Sequence, residues 1–293
     1  MQRAEFLKRA EERPIILDGA MGTNLFLRGM PRRVCAEKWI SENPEIVIGL
    51  QREYAEAGSD IIYAPTFGAN STRLKEYGLE AETAELNRKL VEISRKAAGE
   101  KTLVAGDISP TGLMLESAGG EAEPEDIFAV YKEQTEALCA VGVDLFVIET
   151  MMSQEEIRIG LEAILSVTDL PVMCTMTVDE RGRGLFGGSV FEAAAELEKA
   201  GAAAVGINCC FGPDKLKDII AKIAEKVTIP VIAKPNAGKP VMDQHGIARY
   251  DMSPEIFCGH MKGLREAGAS VLGGCCGTTP EYIRQLKKMM EEG

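Results

Sequence analysis

A short apolar run, a turn and a helical pattern recur eight times along this chain of 293 residues. The runs are Pro14 to Leu17, Asp60 to Ala64, Thr102 to Gly106, Asp144 to Ile148, Pro171 to Thr177, Ala203 to Ile207, Ile229 to Ala233 and Ala269 to Leu272. They are rich in β-branched residues and nearly continuously apolar, the pattern of parallel strands buried on both faces. Between them lie helical stretches such as Pro44 to Ala57, Glu80 to Ala98, Glu125 to Ala140, Gln154 to Ser166, Phe191 to Ala200 and Lys215 to Lys226. Several close on glycine just before the next run, at Ala57-Gly58, Val141-Gly142, Ala200-Gly201 and Ala267-Gly268. Glycine there is a C-terminal cap at the joint where helix hands over to strand. Eight such alternations without a break in composition predict an α/β protein, a single (β/α)8 TIM barrel occupying residues 1–293 as one domain.

Charge narrows the partners. A net charge of -12 and a pI near 4.9 argue against nucleic acid and against an anionic membrane surface. No apolar run reaches the roughly 18 residues of a membrane span. The opening residues Met1 to Phe6 mix charges and lack the apolar core of a signal peptide. A soluble, cytoplasmic protein is expected, and its eight cysteines are expected to be reduced thiols.

In a barrel of this kind the active site is built at the C-terminal ends of the strands. Those ends read Asp18-Gly19-Ala20-Met21-Gly22-Thr23, Pro65-Thr66-Phe67-Gly68, Asp107-Ile108-Ser109-Pro110-Thr111-Gly112, Glu149-Thr150, Val178-Asp179-Glu180, Asn208-Cys209, Lys234-Pro235-Asn236-Ala237-Gly238 and Gly273-Gly274-Cys275-Cys276. Cysteines from the sixth and eighth ends lie two strands apart on one rim. Cys209, Cys275 and Cys276 would supply three thiolates to a tetrahedral zinc ion and leave the fourth position open, the arrangement of a catalytic site. Cys210 competes with Cys209, which is favoured because it comes first at the strand end. His245 and His260 lack metal-ligand spacing, and Cys35, Cys139, Cys174 and Cys258 read as buried, inert thiols. Gly182 to Gly187 matches G-x-G-x-x-G, but a charged turn separates it from its strand, so a dinucleotide site is not expected.

Taken together, these motifs resemble the homocysteine S-methyltransferase family, and within it the homocysteine-binding domain of cobalamin-dependent methionine synthase. The resemblance runs from Leu17-Asp18-Gly19-Ala20-Met21-Gly22-Thr23 to Gly273-Gly274-Cys275-Cys276-Gly277-Thr278-Thr279-Pro280, through Thr66-Phe67-Gly68, Gly106 to Gly112, Glu149-Thr150, Gly206-Ile207-Asn208-Cys209 and Pro235-Asn236-Ala237-Gly238. It implies that the three cysteines bind zinc, that zinc activates the homocysteine sulfur for methyl transfer, and that Asp18 and Glu149 hold the substrate ammonium. It also implies carboxylate contacts from the backbone around Gly19 and Thr66, and a stand-in role for Asn236 at the metal when homocysteine is absent. An amino acid needs both an anionic seat and N–H donors. Betaine-using relatives cage a trimethylammonium with aromatic rings, and aromatics are only 5% of this chain. The expected methyl donor is therefore methylcobalamin on a separate corrinoid protein, with S-methylmethionine or betaine, or a non-catalytic zinc-binding subunit, as alternatives.

Overall fold

The computed structural model describes residues 1–242 and 248–292. The β-branched runs form strands whose residues are buried almost without exception: β1 (Ile15–Ile16), β2 (Ile61–Tyr63), β3 (Leu103–Ile108), β4 (Leu145–Met151), β5 (Val172–Met176), β6 (Ala204–Asn208) and β7 (Val231–Lys234). An exposed antiparallel hairpin follows, β8 (Pro240–Met242) with β9 (Ala248–Tyr250), and then β10 (Ala269–Leu272). All strands but the hairpin pair join one parallel sheet in the order β1-β10-β7-β6-β5-β4-β3-β2. The ends of that order meet: Leu17 bridges Ile61 in parallel, and the Asp60 N–H donates to the Ile16 carbonyl at 2.7 Å. The sheet is therefore a barrel, with helices between its strands.

Sequence expectation and structure agree closely in the strands, and the helix joints follow the same chemistry. Gly58, Gly142, Gly201 and Gly268 all have φ between +86° and +112°, a region only glycine enters cheaply. Helices Pro44–Glu56, Pro124–Val141, Val190–Ala200 and Pro254–Glu266 stop just before these glycines. Trp39 sits on the helix Ala36–Glu42, packed against the core.

Side chains alternate between two cores, as they must when every second residue of a strand faces the same way. Ile15, Leu17, Ile61, Ala105, Leu145, Val147, Met173, Ala204, Ile232 and Val271 fill the barrel interior. Ile16, Ile62, Val104, Phe146, Ile148, Val172 and Val205 pack outward under the helices.

The N-terminal helix Arg3–Glu12 has no counterpart among the sequence expectations. It plugs the lower end of the barrel with Phe6 and Ala10, which join the interior cluster. Asp60 fastens it there. Its carboxylate accepts from Arg13 Nη1 at 2.8 Å and Nη2 at 2.6 Å, from Arg9 Nη2 at 3.0 Å and from the Ile16 N–H at 2.9 Å. Burial works against the Asp60 charge, but the Arg13 hydrogen bonds, the Ile16 N–H and Arg9 outweigh it and hold its pKa below the usual range. A carboxyl with a lowered folded-state pKa stabilises fully above the unfolded value of about 4, and that contribution disappears as the pH falls through the lowered value. Asp60→Ala should therefore cost about 2–3 kcal/mol at neutral pH, less than a fully buried pair because Arg13 is part-exposed. Urea unfolding at pH 7 and at pH 3 checks this, since the difference between variant and parent should shrink at the lower pH.

Candidate active site and metal centre

The inward register that is apolar through the middle of the barrel turns polar at its upper end. Ala105 is followed inward by Asp107, Val147 by Glu149, Met173 by Thr175, Ala204 after Gly206 by Asn208, and Ile232 by Lys234. All five polar residues are at least nine-tenths buried. Above them opens a cavity of about 290 Å³, whose wall includes Asp18, Gly19, Tyr63, Asp107, Glu149, Cys209, Lys234, Cys275 and Cys276. That volume is at the small end of ligand pockets, which run from about 300 to 1,000 Å³.

Lys234 is the centre of the cavity's charge. Its Nζ lies 3.6 Å from Asp18 Oδ1 and 3.9 Å from Glu149 Oε2, and 4.6 Å above the Tyr63 ring. Burial works against the Lys234 ammonium, yet Glu149, Asp18 and Cys275 outweigh it and hold its pKa well above the usual value. Burial is also the main force on the acids. It pushes Asp18 up to about 6 and Glu149 up to about 7, with Lys234 pulling each part of the way back. Asp18 also accepts the Tyr63 N–H at 2.8 Å. Gly19 cannot be larger, since a Cβ there would stand 2.6 Å from the Tyr54 hydroxyl and 2.8 Å from Thr278 Oγ1.

The expected thiols converge. Sγ atoms of Cys209, Cys275 and Cys276 all lie within 4.8 Å of one another, and those of Cys209 and Cys276 are 3.5 Å apart. Tetrahedral zinc with Zn–S near 2.3 Å requires sulfurs about 3.8 Å apart, so the trio fits such an ion. Hydrogen bonds with Cys209 and Cys275 draw Cys276 down to about 3, while hydrogen bonds with Cys275 and Cys276 push Cys209 up. Cys275 is drawn down by Cys209, but Cys276 and burial outweigh this and push it up to about 11. Of the three thiols, only Cys276 is thus favoured to carry negative charge. Cys210 turns away, its Sγ accepting the Val178 N–H at 3.2 Å. Cys35, Cys174 and Cys258 are buried and Cys139 half-buried, each pushed up by burial.

Two strained residues shape this rim. Thr150 has φ 62° and Cys209 φ 54°, a left-handed conformation that costs a non-glycine residue about 1–3 kcal/mol. Asn208 holds the first. Its Oδ1 accepts the Thr150 N–H at 2.8 Å and the Thr175 hydroxyl at 2.9 Å, while its Nδ2 donates to Thr150 Oγ1 at 2.8 Å and Glu149 Oε2 at 3.2 Å. One amide thereby fixes the Glu149 carboxylate and the strained Thr150 beside it.

The other expected contacts are placed differently. Thr66 stands behind the cavity wall with its groups engaged. Its N–H goes to the Ala64 carbonyl, its carbonyl takes Gln134 Nε2, and its hydroxyl bridges both backbone groups of Asp107. Pro65 and Phe67 face the cavity instead. Asn236 is buried behind the thiols; its Nδ2 reaches the Cys210 carbonyl at 3.4 Å, and its Oδ1 has no hydrogen-bond partner. The loop from Pro235 to Ala237 is tied to the thiol turn, for Cys275 N–H donates to Pro235 O and Ala237 N–H to Cys276 O. His260 is exposed on an outer helix, and His245 lies outside the described residues. Gly182 to Gly187 forms part of the loop after β5, folded on itself around Asp179. Sequence reasoning gave no role to Lys234, Asp107 or Asn208. The signal that marks them is the two-residue inward alternation, continued one step past the last apolar residue.

A barrel with a three-thiol cluster above a buried acid–lysine pocket defines the class: a thiol-centred site on a (β/α)8 frame. The family follows. Residues 15–290 match the homocysteine S-methyltransferase model, and the chain belongs to that family of methyltransferases. Methionine synthases of Mycobacterium leprae and Mycobacterium tuberculosis are each 30% identical over 96% of this chain, which spans only about a quarter (25%) of their length. The homocysteine methyltransferase MmuM of Escherichia coli, in its metallated form, superposes with a TM-score of 0.80 at 26% identity, over 94% of this chain and 96% of that one.

Removal of the Asn208 amide should release the strained turn. Asn208→Ala is expected to cost about 3–4 kcal/mol, from several lost buried hydrogen bonds and the polar groups left unpaired, with the freed strain offsetting part of the loss. Denaturant unfolding measures it, and a loss under about 1 kcal/mol would mean that Thr150 is held by something else.

Proposed function

We propose that this chain is a zinc-dependent homocysteine S-methyltransferase acting as one homocysteine-binding barrel, and that it makes methionine. The observation that carries the reading is the meeting, in one small cavity, of three mutually close thiols and a buried pair of acids. Cys209, Cys275 and Cys276 would hold the metal. Bound zinc would supply a Lewis-acid seat at which the substrate thiol stays deprotonated near neutral pH. Asp18 and Glu149 would receive the α-ammonium, and the turn at Gly19 would bring backbone close to the carboxylate. Asn236, with an unpaired buried Oδ1, suits the stand-in role at the metal that the family resemblance gives it. The apolar wall of Met21, Leu25, Met30 and Ile40 would exclude water from the sulfur as it attacks the methyl group.

We further propose that the methyl donor is a corrinoid carried by a separate protein. Only Tyr63 and Phe67 among the cavity's lining residues are aromatic, and Lys234 already covers the Tyr63 ring. The lining of this cavity thus offers no aromatic cage for a sulfonium or trimethylammonium donor. Assays with methylcobalamin and with S-methylmethionine distinguish the donors, and turnover with the second alone would refute the corrinoid reading.

Cys275→Ala and Cys276→Ala should each lose zinc and methyl transfer. Metal analysis by mass spectrometry checks this; full metal and activity in both would reassign the ligands. Peroxide should likewise expel the metal as the Cys209 and Cys276 sulfurs oxidise. The acids must be ionised to hold an ammonium, and their pKa values of about 6 and 7 set the window. Homocysteine affinity should be full above about pH 8 and fall roughly tenfold by about pH 6. Calorimetry across that range should show a flatter profile for Glu149→Gln at unchanged zinc content.

A further inference from the structure

Asp18 and Glu149 do not exhaust the acid chemistry of the cavity. Asp107 closes the upper end of β3, is only 5% exposed, and lines the same wall. Its backbone is pinned on both sides by one hydroxyl: the Asp107 N–H donates to Thr66 Oγ1 at 3.1 Å, and the Asp107 carbonyl accepts from it at 2.8 Å. The carboxylate is therefore held at the cavity by a fixed main chain. Its Oδ1 has no hydrogen-bond partner, which is costly for a buried acceptor unless a ligand supplies the donor.

The neighbouring cation does not fill that role. Lys234 Nζ is already shared between Asp18 Oδ1 at 3.6 Å and Glu149 Oε2 at 3.9 Å. Three carboxylates thus face one ammonium, and the pocket lacks positive charge. Burial, then repulsion from Glu149, pushes the Asp107 carboxyl well above the usual range, with Lys234 relieving only part of it. A second cation with N–H donors would correct both deficits at once.

We propose that Asp107 is a substrate-binding and specificity-determining residue of this site: its free Oδ1, beside Asp18 and Glu149, takes the α-ammonium of the amino-acid thiol. This rests on the proposed reading of the cavity as a homocysteine site. Lys234 spans the other two acids, which also accept from the Tyr63 N–H and the Asn208 amide; Asp107 Oδ1, like Asp18 Oδ1 beside it, has no hydrogen-bond donor. A thiol lacking the ammonium would leave Asp107 unpaired, so the residue selects for amino-acid thiols over simple mercapto acids.

The test compares L-homocysteine with 4-mercaptobutanoate, which has the same carbon chain and thiol but no ammonium. Both are titrated calorimetrically into the zinc-loaded full chain, with and without Asp107→Asn. Asparagine keeps the shape and removes the charge, and the Asp107 side chain gives up no internal hydrogen bond through Oδ1. The expected result is a roughly ten- to hundred-fold weaker homocysteine Kd, as for loss of a charged hydrogen bond. The 4-mercaptobutanoate Kd should stay within about twofold, at unchanged zinc content and Tm. A homocysteine Kd that stays within twofold, or an equal loss for both thiols, overturns the assignment. Should Asp107→Asn not fold, as melting would report, Asp107→Ser gives the same readout. If the unsubstituted protein binds neither thiol, the reading of the cavity fails, and this proposal with it.

Discussion

One buried lysine sets the terms for everything at the top of this barrel. Lys234 has almost no contact with solvent, and two of the three nearby carboxylates are within ion-pair distance of it. Taking such an ion out of water costs several kcal/mol, and only close opposite charges offset the cost. At about 4 Å and an effective dielectric near 20, each contact is worth roughly 4 kcal/mol before desolvation is counted. Gain and penalty are of the same order, so the cluster adds little to stability. Its effect is to make the cavity a defined electrostatic object in an otherwise apolar interior. The acids stay close to neutral pH in their titration instead of becoming inert.

The thiols depend on a different device, backbone strain held by packing. Cys209, just past β6, and Thr150, at the register shift within β4, are in the left-handed region, where a β-branched threonine is especially out of place. Such conformations persist only where the surroundings over-determine them. Asn208 provides that at Thr150 with hydrogen bonds to its N–H and its hydroxyl. Across the rim, glycines give the eighth turn its tightness. A Cβ on Gly273 would meet Leu17, and one on Gly277, which has φ +85°, would drive into the Tyr250 ring. The hairpin residue Tyr250 thereby packs beside the thiol turn, and burial and Cys276 together raise its pKa.

The fold was legible because parallel-barrel strands announce themselves twice, as buried apolar runs and as cap glycines at fixed joints. Ala269 to Leu272 was bounded to the residue, and each expected cap glycine has a positive φ. The three cysteines were legible because two glycine-bounded strand ends carried them. Lys234, Asp107 and Asn208 were not, for a physical reason. In a strand buried on both faces, the inward and outward residues are equally apolar, so the alternation that identifies the inner face is invisible until its last member. Only there does polarity betray direction. The Arg3–Glu12 plug was missed because its charged residues hide a narrow stripe, Phe6 and Ala10, which is buried by contact with the barrel floor alone. Thr66 is a different case. It sits inside a recognisable motif, yet its hydroxyl serves the Asp107 backbone.

Lys234 also links the two halves of the cavity. Its charge lowers the pKa values of Asp18 and Glu149 on one side and of Cys275 and Cys276 on the other. Without it, the Cys276 thiolate would face three buried carboxylates across a few ångströms of low-dielectric space, and each group would hold its proton to relieve the repulsion. With it, negative charge can exist on both sides at once. The fold can place a single cation there because β7 stands between β6 and β10, the two strands whose ends carry the thiols, and its inward register ends at residue 234. The same strand continues into Pro235 and Ala237, whose backbones brace Cys275 and Cys276. Strand order, register and charge balance therefore converge on one position, and a neutral residue there would unsettle acids and thiols together.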